Sequence, residues 1–242
     1  MKKEPEKKAF YDSTYFELLD AIKEEESCPI CSLVEKSESR YITSLFYELV
    51  NDYKVRERLR NSYGFCPEHA RLVRKLGNPL GIAIIYEDIC STIVEHMERG
   101  KEFFLPGKGC PVCELVNEAE NRYIQTFLKS FSSKDFQKIY RQGFGLCMYH
   151  FLLVYSEFSS REEKNILREY QLNKLREFSV QLTEFIRKHD YRFSREGFGK
   201  EATSWRRIVN KIAGDKVVIS SATSPNNSRK KFTKFFPKSP LF

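Results

Sequence analysis

The chain has 242 residues, 41% hydrophobic and 31% charged, with only 11 glycines and 9 prolines, a composition that suits helices better than a turn-rich β architecture. No run of eighteen apolar residues occurs, so nothing reads as a membrane-spanning helix; the opening MKKEPEKKAF has charge without an apolar stretch behind it, so no secretory signal is read and a cytoplasmic location is expected. The formal charge of +8 is uneven: 29 Lys+Arg face 30 Asp+Glu up to Asp190 and 12 face 3 beyond it, which leaves a near-neutral body and a basic C-terminal fifth.

In chain order, residues 1–27 predict an N-terminal helix, capped at Ser13, with Tyr15, Phe16, Leu18, Leu19 and Ile22 inward. Residues 28–79 form a first repeat. It opens on Cys28-Pro29-Ile30-Cys31, continues through Leu33, Val34, Tyr41, Ile42, Leu45, Phe46 and Leu49 at helical spacing, and starts a second helix at Asn51 or Asp52 that Gly64 can stop. Cys66-Pro67-Glu68-His69 opens a third. Residues 80–109 hold a linking helix over Leu80–Phe104, with Ile82, Ile85, Ile89, Ile93 and Met97 apolar.

Residues 110–158 repeat the pattern. Cys110-Pro111-Val112-Cys113 lies 82 residues after its counterpart, and nine of fifteen positions are identical from each first cysteine to Ile42 and Ile124, Glu38/Glu120 and Arg40-Tyr41/Arg122-Tyr123 among them. Ser132 or Ser133 starts the next helix and Gly143 ends it; Cys147-Met148-Tyr149-His150 then matches the first CxxH. Residues 159–216 predict C-terminal helices over Arg161–Arg187 and Ser204–Ile212, and residues 217–242 a basic tail expected to be disordered. With no alternating strand pattern, the expected fold is all-α: two tandem helical repeats, each closed by a metal site, with flanking helices.

Each repeat reads C-x2-C, an arm of 34 or 33 residues, then C-x2-H. Proline after Cys28, Cys66 and Cys110 sits where a first helical residue needs no N–H, so each leading cysteine is an expected N-cap with the second donor one turn on. Helix N-termini favour thiolate, and three thiolates with one imidazole are a structural zinc set that leaves no open position for catalysis. The predicted ligands are Cys28, Cys31, Cys66 and His69, then Cys110, Cys113, Cys147 and His150, for two zinc ions. An iron–sulfur cluster at the same ligands is the alternative; a redox dithiol at Cys28/Cys31 lacks the βαβ setting it would need. Pairing within or between repeats satisfies the same ligand count. The shorter loop favours each repeat closing on itself.

Among the remaining residues, Cys90 reads as a small core residue, His96 as exposed or a satisfied core histidine, and His189 as the end of a charged helix. Arg40-Tyr41 and Arg122-Tyr123 read as packing pairs, and Trp205 beside Arg206-Arg207 as the anchor of a docked helix. Ser228–Phe242 mixes Arg229, Lys230, Lys231, Lys234 and Lys238 with Phe232, Phe235 and Phe236, which could contact nucleic acid or an anionic membrane.

The phrases CPICSLVEKSESRYITSLFYELVND, GFCPEHARLV, the second CPVC…RY and HDYRFSREGFGKEATSWRRIVNKIAG resemble a prokaryotic family catalogued as domain of unknown function 6062, from about Cys28 to Gly214. Met148 replaces the proline of the other three motifs. The resemblance implies no reaction, and no phosphate loop, nucleophile elbow or paired-carboxylate motif supplies one. A metal-stabilised binding module, with a protein as its possible partner, is therefore expected.

Overall fold

A computed structural model describes residues 12–24, 26–102, 106–193 and 195–215. Regular structure among them is entirely helical: α1 (Ser13–Lys23), α2 (Pro29–Tyr47), α3 (Tyr53–Asn61), α4 (Pro67–Leu76), α5 (Pro79–Glu98), α6 (Pro111–Ser130), α7 (Lys134–Gln142), α8 (Met148–Glu157), α9 (Arg161–Lys188) and α10 (Ser204–Ala213). The all-α expectation holds. The helices that follow the two CPxC motifs have matching lengths, 19, 9 and 10 residues for α2–α4 and 20, 9 and 10 for α6–α8.

The helix starts follow from local chemistry. Asp12, Asp52, Asn78, Ser133 and Ser160 each take an N–H from the first helical turn on their side-chain oxygen, filling one of the donors a helix leaves unpaired. The first cap is therefore Asp12 rather than Ser13, since the carboxylate reaches the Tyr15 N–H. At Cys28, Cys66, Cys110 and Cys147 the backbone carbonyl accepts the first helical bond, from Ser32, Ala70, Glu114 and Phe151. All four leading cysteines are thus N-cap residues.

The chain divides into two compact units. The first combines Met1–Glu38 with Glu118–Val217. There α1 packs on α7, close enough that a Cβ on Gly143 would stand 2.3 Å from the Ile22 carbonyl oxygen. Its core is aromatic: Phe127 stacks on Phe131 at 5.3 Å and meets Phe136 and Tyr140 edge-on, all four buried. The C-terminal segment folds back, with α10 against α8 and α9. Lys188 on α9 pairs with Glu201 at 2.7 Å, and Arg187 with Glu196.

The second unit is built on Ser39–Asn117. Here α3 packs on α5, Arg56 and Arg60 both reach Asp88 at 2.9 and 2.8 Å, and Leu59, Phe65, Ile85 and Ile89 are buried. Asn78 ties α5 to the end of α2 by donating to the Phe46 carbonyl at 2.9 Å.

Four sequence expectations need correction here. Cys90 is exposed: α5 buries the Ile85/Ile89 stripe, and Cys90 lies about 100° further round the helix. The linking helix stops at Glu98 instead of reaching Phe104, whose position lies outside the described residues. Trp205 is 47% exposed. α10 turns Ser204 and Lys211 inward instead, and Trp205 stacks under Arg206. Phe16, expected inward, is likewise exposed. His96 is half-buried and hydrogen-bonds the Tyr63 hydroxyl at 2.7 Å; His189 caps α9. Tyr123 packs as expected, buried, and donates to Glu17 at 2.6 Å. The basic tail, residues 217–242, lies outside the described residues. No helix among the described residues is long and apolar enough to cross a membrane.

Candidate metal centres

The eight cysteine and histidine side chains singled out by spacing converge in two groups of four. Cys28 and Cys31 meet Cys147 and His150 in the first unit; Cys66 and His69 meet Cys110 and Cys113 in the second. Within each group the donor atoms all lie within 4.8 Å of one another. The CxxC of one repeat therefore joins the CxxH of the other, which corrects the expectation that each repeat closes on itself.

Helix lengths explain the exchange. α2, with 19 residues, rises roughly 28 Å, whereas α3, with 9, rises only about 13 Å, so the return leg is half as long as the outward one. That mismatch favours pairing Cys66 with donors of the other repeat. The entropic objection is weak: closing a loop of 116 residues between Cys31 and Cys147, rather than one of about 35, costs only about 1 kcal/mol more.

In the first group the His150 Nδ1 faces three sulfurs, at 3.5 Å from Cys28, 3.3 Å from Cys31 and 3.3 Å from Cys147. Cys31 and Cys147 Sγ are 3.7 Å apart. His69 Nδ1 does the same in the second group, at 3.1 Å from Cys66, 3.5 Å from Cys110 and 3.3 Å from Cys113, with 3.6 Å between the Cys113 and Cys66 sulfurs. A tetrahedral ion with metal–sulfur bonds of about 2.3 Å and metal–nitrogen bonds of about 2.0 Å would hold sulfurs about 3.7 Å apart, and sulfur and nitrogen about 3.5 Å apart. The sulfur–nitrogen distances of 3.1–3.5 Å and the sulfur–sulfur distances of 3.6 and 3.7 Å lie close to those values, and every other donor pair lies within 4.8 Å.

Electrostatics point the same way. Burial disfavours a charged His150, yet the Cys28 charge and hydrogen bonds to Cys147, Cys28 and Cys31 raise its pKa well above 6.5. His69, against the same opposing burial, rises to about 9 through Cys110 and Cys66. Among the second group's sulfurs, hydrogen bonds from Cys110 and Cys113 hold the Cys66 thiol low, while those to Cys110 and Cys66 push Cys113 high. Three sulfurs this close favour thiolate together only with a positive charge among them, whether the imidazolium or a metal ion.

Residues outside the motifs complete the first group. Glu120 on α6, buried, meets His150 Nε2 at 3.0 Å and so fixes which nitrogen faces the sulfurs. The matching Glu38 is also fully buried. Both had appeared as repeat identities, which was the available signal. Lys211, 0% exposed, donates to the carbonyls of Phe144 at 3.0 Å and Leu146 at 2.7 Å and to Gln171 at 3.0 Å. Burial lowers its pKa to about 8, against the pull of Cys28 and Cys147. The Leu146 N–H donates to Tyr140 Oη at 3.1 Å, so the turn leading into Cys147 is gripped from two sides. Gly214, at φ +81°, lies beside the sulfurs; a Cβ there would stand 3.4 Å from Cys147 Sγ and 3.7 Å from Cys31 Sγ. Nothing in the sequence pattern marked Lys211 or Gly214.

The second group is built differently. Tyr63 at φ +49° and Gly64 at φ +94° turn the chain into Cys66, with Ser62 Oγ donating to the Gly64 carbonyl at 2.7 Å. Gly107 donates to the Ser62 carbonyl at 2.7 Å, and a Cβ on it would lie 2.4 Å from Cys66 Cα, so only glycine fits. Among the described buried residues of this unit there is no lysine.

Replacing Lys211 with methionine is expected to destabilise the protein by about 2–4 kcal/mol, because three buried acceptors lose a charged donor. Denaturant unfolding of wild type and Lys211→Met measures it. A change below about 0.5 kcal/mol would refute the role given to this lysine.

The profile of the family of unknown function DUF6062 matches the chain twice, over residues 12–108 and 101–218. An uncharacterized 23.9 kDa protein in the xynA 3' region of Caldicellulosiruptor sp. (strain Rt8B.4) is 28% identical over 198 residues, spanning 78% of this chain and 96% of that protein. No solved structure matches. The chain belongs to the family of unknown function DUF6062.

Proposed function

We propose that the protein is a zinc-stabilised helical interaction module, binding one ion through Cys28, Cys31, Cys147 and His150 and another through Cys66, His69, Cys110 and Cys113. One observation carries the reading: in each group one Nδ1 lies 3.1–3.5 Å from three sulfurs and two sulfurs from different motifs lie 3.6–3.7 Å apart, close to the spacing a single tetrahedral ion sets. An iron–sulfur cluster, whose thiolates bind different irons, would spread the sulfurs further. Four protein donors fill a zinc ion and leave no position for a reacting water. The ion would then act on the fold and leave recognition to the protein surface. A protein partner is part of this proposal; contact with nucleic acid or an anionic membrane would have to come from the tail.

Elemental analysis of untagged protein is expected to find about two zinc ions per chain, one per donor group. Protein that is folded and free of zinc, or brown and iron-loaded, would overturn the assignment.

A further inference from the structure

The two donor groups are chemically alike and differ in what covers them. Cys28, Cys31, Cys147 and His150 are all buried, with Gly214 beside two of the sulfurs and Lys211 gripping the turn into Cys147. Cys66 and Cys113 are half-buried, and only Cys110 and His69 of their group are buried. The sulfur pair contributed by different helices is equally close in both, 3.7 Å for Cys31/Cys147 and 3.6 Å for Cys66/Cys113. Proximity is matched, so access decides reactivity.

We infer that Cys66 and Cys113 form an oxidation-sensitive dithiol that releases the second unit's metal to peroxide, while the first unit's site keeps its ion. The inference rests on the metal reading above. Thiolate susceptibility follows exposure, and a metal-bound sulfur keeps its thiolate character. One of the two sulfurs attacks a peroxide oxygen, the O–O bond breaks, and a sulfenic acid and hydroxide result. The other sulfur attacks the sulfenic sulfur, forming the S–S bond and expelling a second hydroxide; two protons turn both hydroxides into water. The two sulfurs lose two electrons and the peroxide gains them. Closing from 3.6 Å to a bond of about 2.05 Å requires both metal–sulfur bonds to break. Cys110 and His69 remain, two donors where zinc takes four.

The test uses the full chain carrying Cys90→Ser, which removes an exposed thiol that is no part of either group. Zinc is counted first. Fewer than two ions per chain would fail the metal reading before any oxidant is added. Hydrogen peroxide is then added with a chromogenic zinc chelator, and the cysteines are mapped by alkylation and mass spectrometry. One ion is expected to leave at least about tenfold faster than the other, together with a Cys66–Cys113 disulfide, while Cys28, Cys31 and Cys147 remain alkylatable after denaturation. Release of both ions at one rate, oxidation of the first unit's cysteines first, or no release at peroxide levels that oxidise a zinc-bound control peptide would overturn the inference. With two ions counted at the start, each of those results leaves the metal reading standing.

Discussion

Stripping both ions with a strong chelator is expected to abolish cooperative thermal unfolding and to lower the helical circular-dichroism signal, with recovery when zinc is restored. The magnitudes decide this. A structural zinc ion contributes on the order of 10–16 kcal/mol of coupled binding and folding energy, while a whole domain is stable by about 5–15 kcal/mol. The short helices that follow the CxxC helices cannot stand alone. α3 and α7 have 9 residues, and α4 and α8 have 10, all below the roughly 12–15 residues at which isolated helices become even marginal. α2, α5, α6 and α9, with 19, 20, 20 and 28 residues, account for the helicity that should survive. Chelated, verified metal-free protein with an unchanged melting transition would show that the ions do not hold the fold.

The loss should be uneven between the units. Phe127, Phe131, Phe136 and Tyr140 give the first unit an aromatic core independent of any ion, and aromatic side chains carry the largest apolar areas. The second unit buries fewer aromatic rings, Phe46, Tyr63 and Phe65, beside Leu59, Ile85 and Ile89, so its helices depend more on its donor group.

Most helix starts were legible in the sequence because caps and prolines act within a few residues of themselves. The eight cysteines and histidines that converge were legible for a similar reason: residues three apart at a helix start share one end of it, and the pattern occurs twice. Their partners were not. CxxC and CxxH motifs make the same tetrahedral set whichever way they pair, and the relative length of α2 and α3, which favours the exchange, is not expressed by motif spacing. α10 was misread for a related reason. Its inward face is polar, with Lys211 serving buried carbonyls, so a rule that turns apolar residues inward placed Trp205 on the wrong side. Cys90 failed because one residue's step, about 100° round the helix, carries it off the Ile85/Ile89 stripe and into solvent.

Serine substitutions in pairs are expected to separate exchanged from self-closing sites by zinc count alone. Cys31→Ser should remove the first unit's ion and leave one per chain, and Cys147→Ser should do the same. Because the two residues serve one group, the double variant should still hold one ion, and its destabilisation should fall several kcal/mol short of the sum of the single effects, as for residues acting on one site. Cys31→Ser with Cys66→Ser should leave none, although both come from the first repeat, because they serve different groups. Self-closing repeats would give the reverse: no ion for Cys31→Ser/Cys147→Ser and one for Cys31→Ser/Cys66→Ser. Serine keeps the size of the side chain but supplies no thiolate, so the count reports coordination and not packing. The two arrangements therefore predict opposite stoichiometries from the same pair of double variants, and metal analysis of those two proteins decides which one the chain adopts.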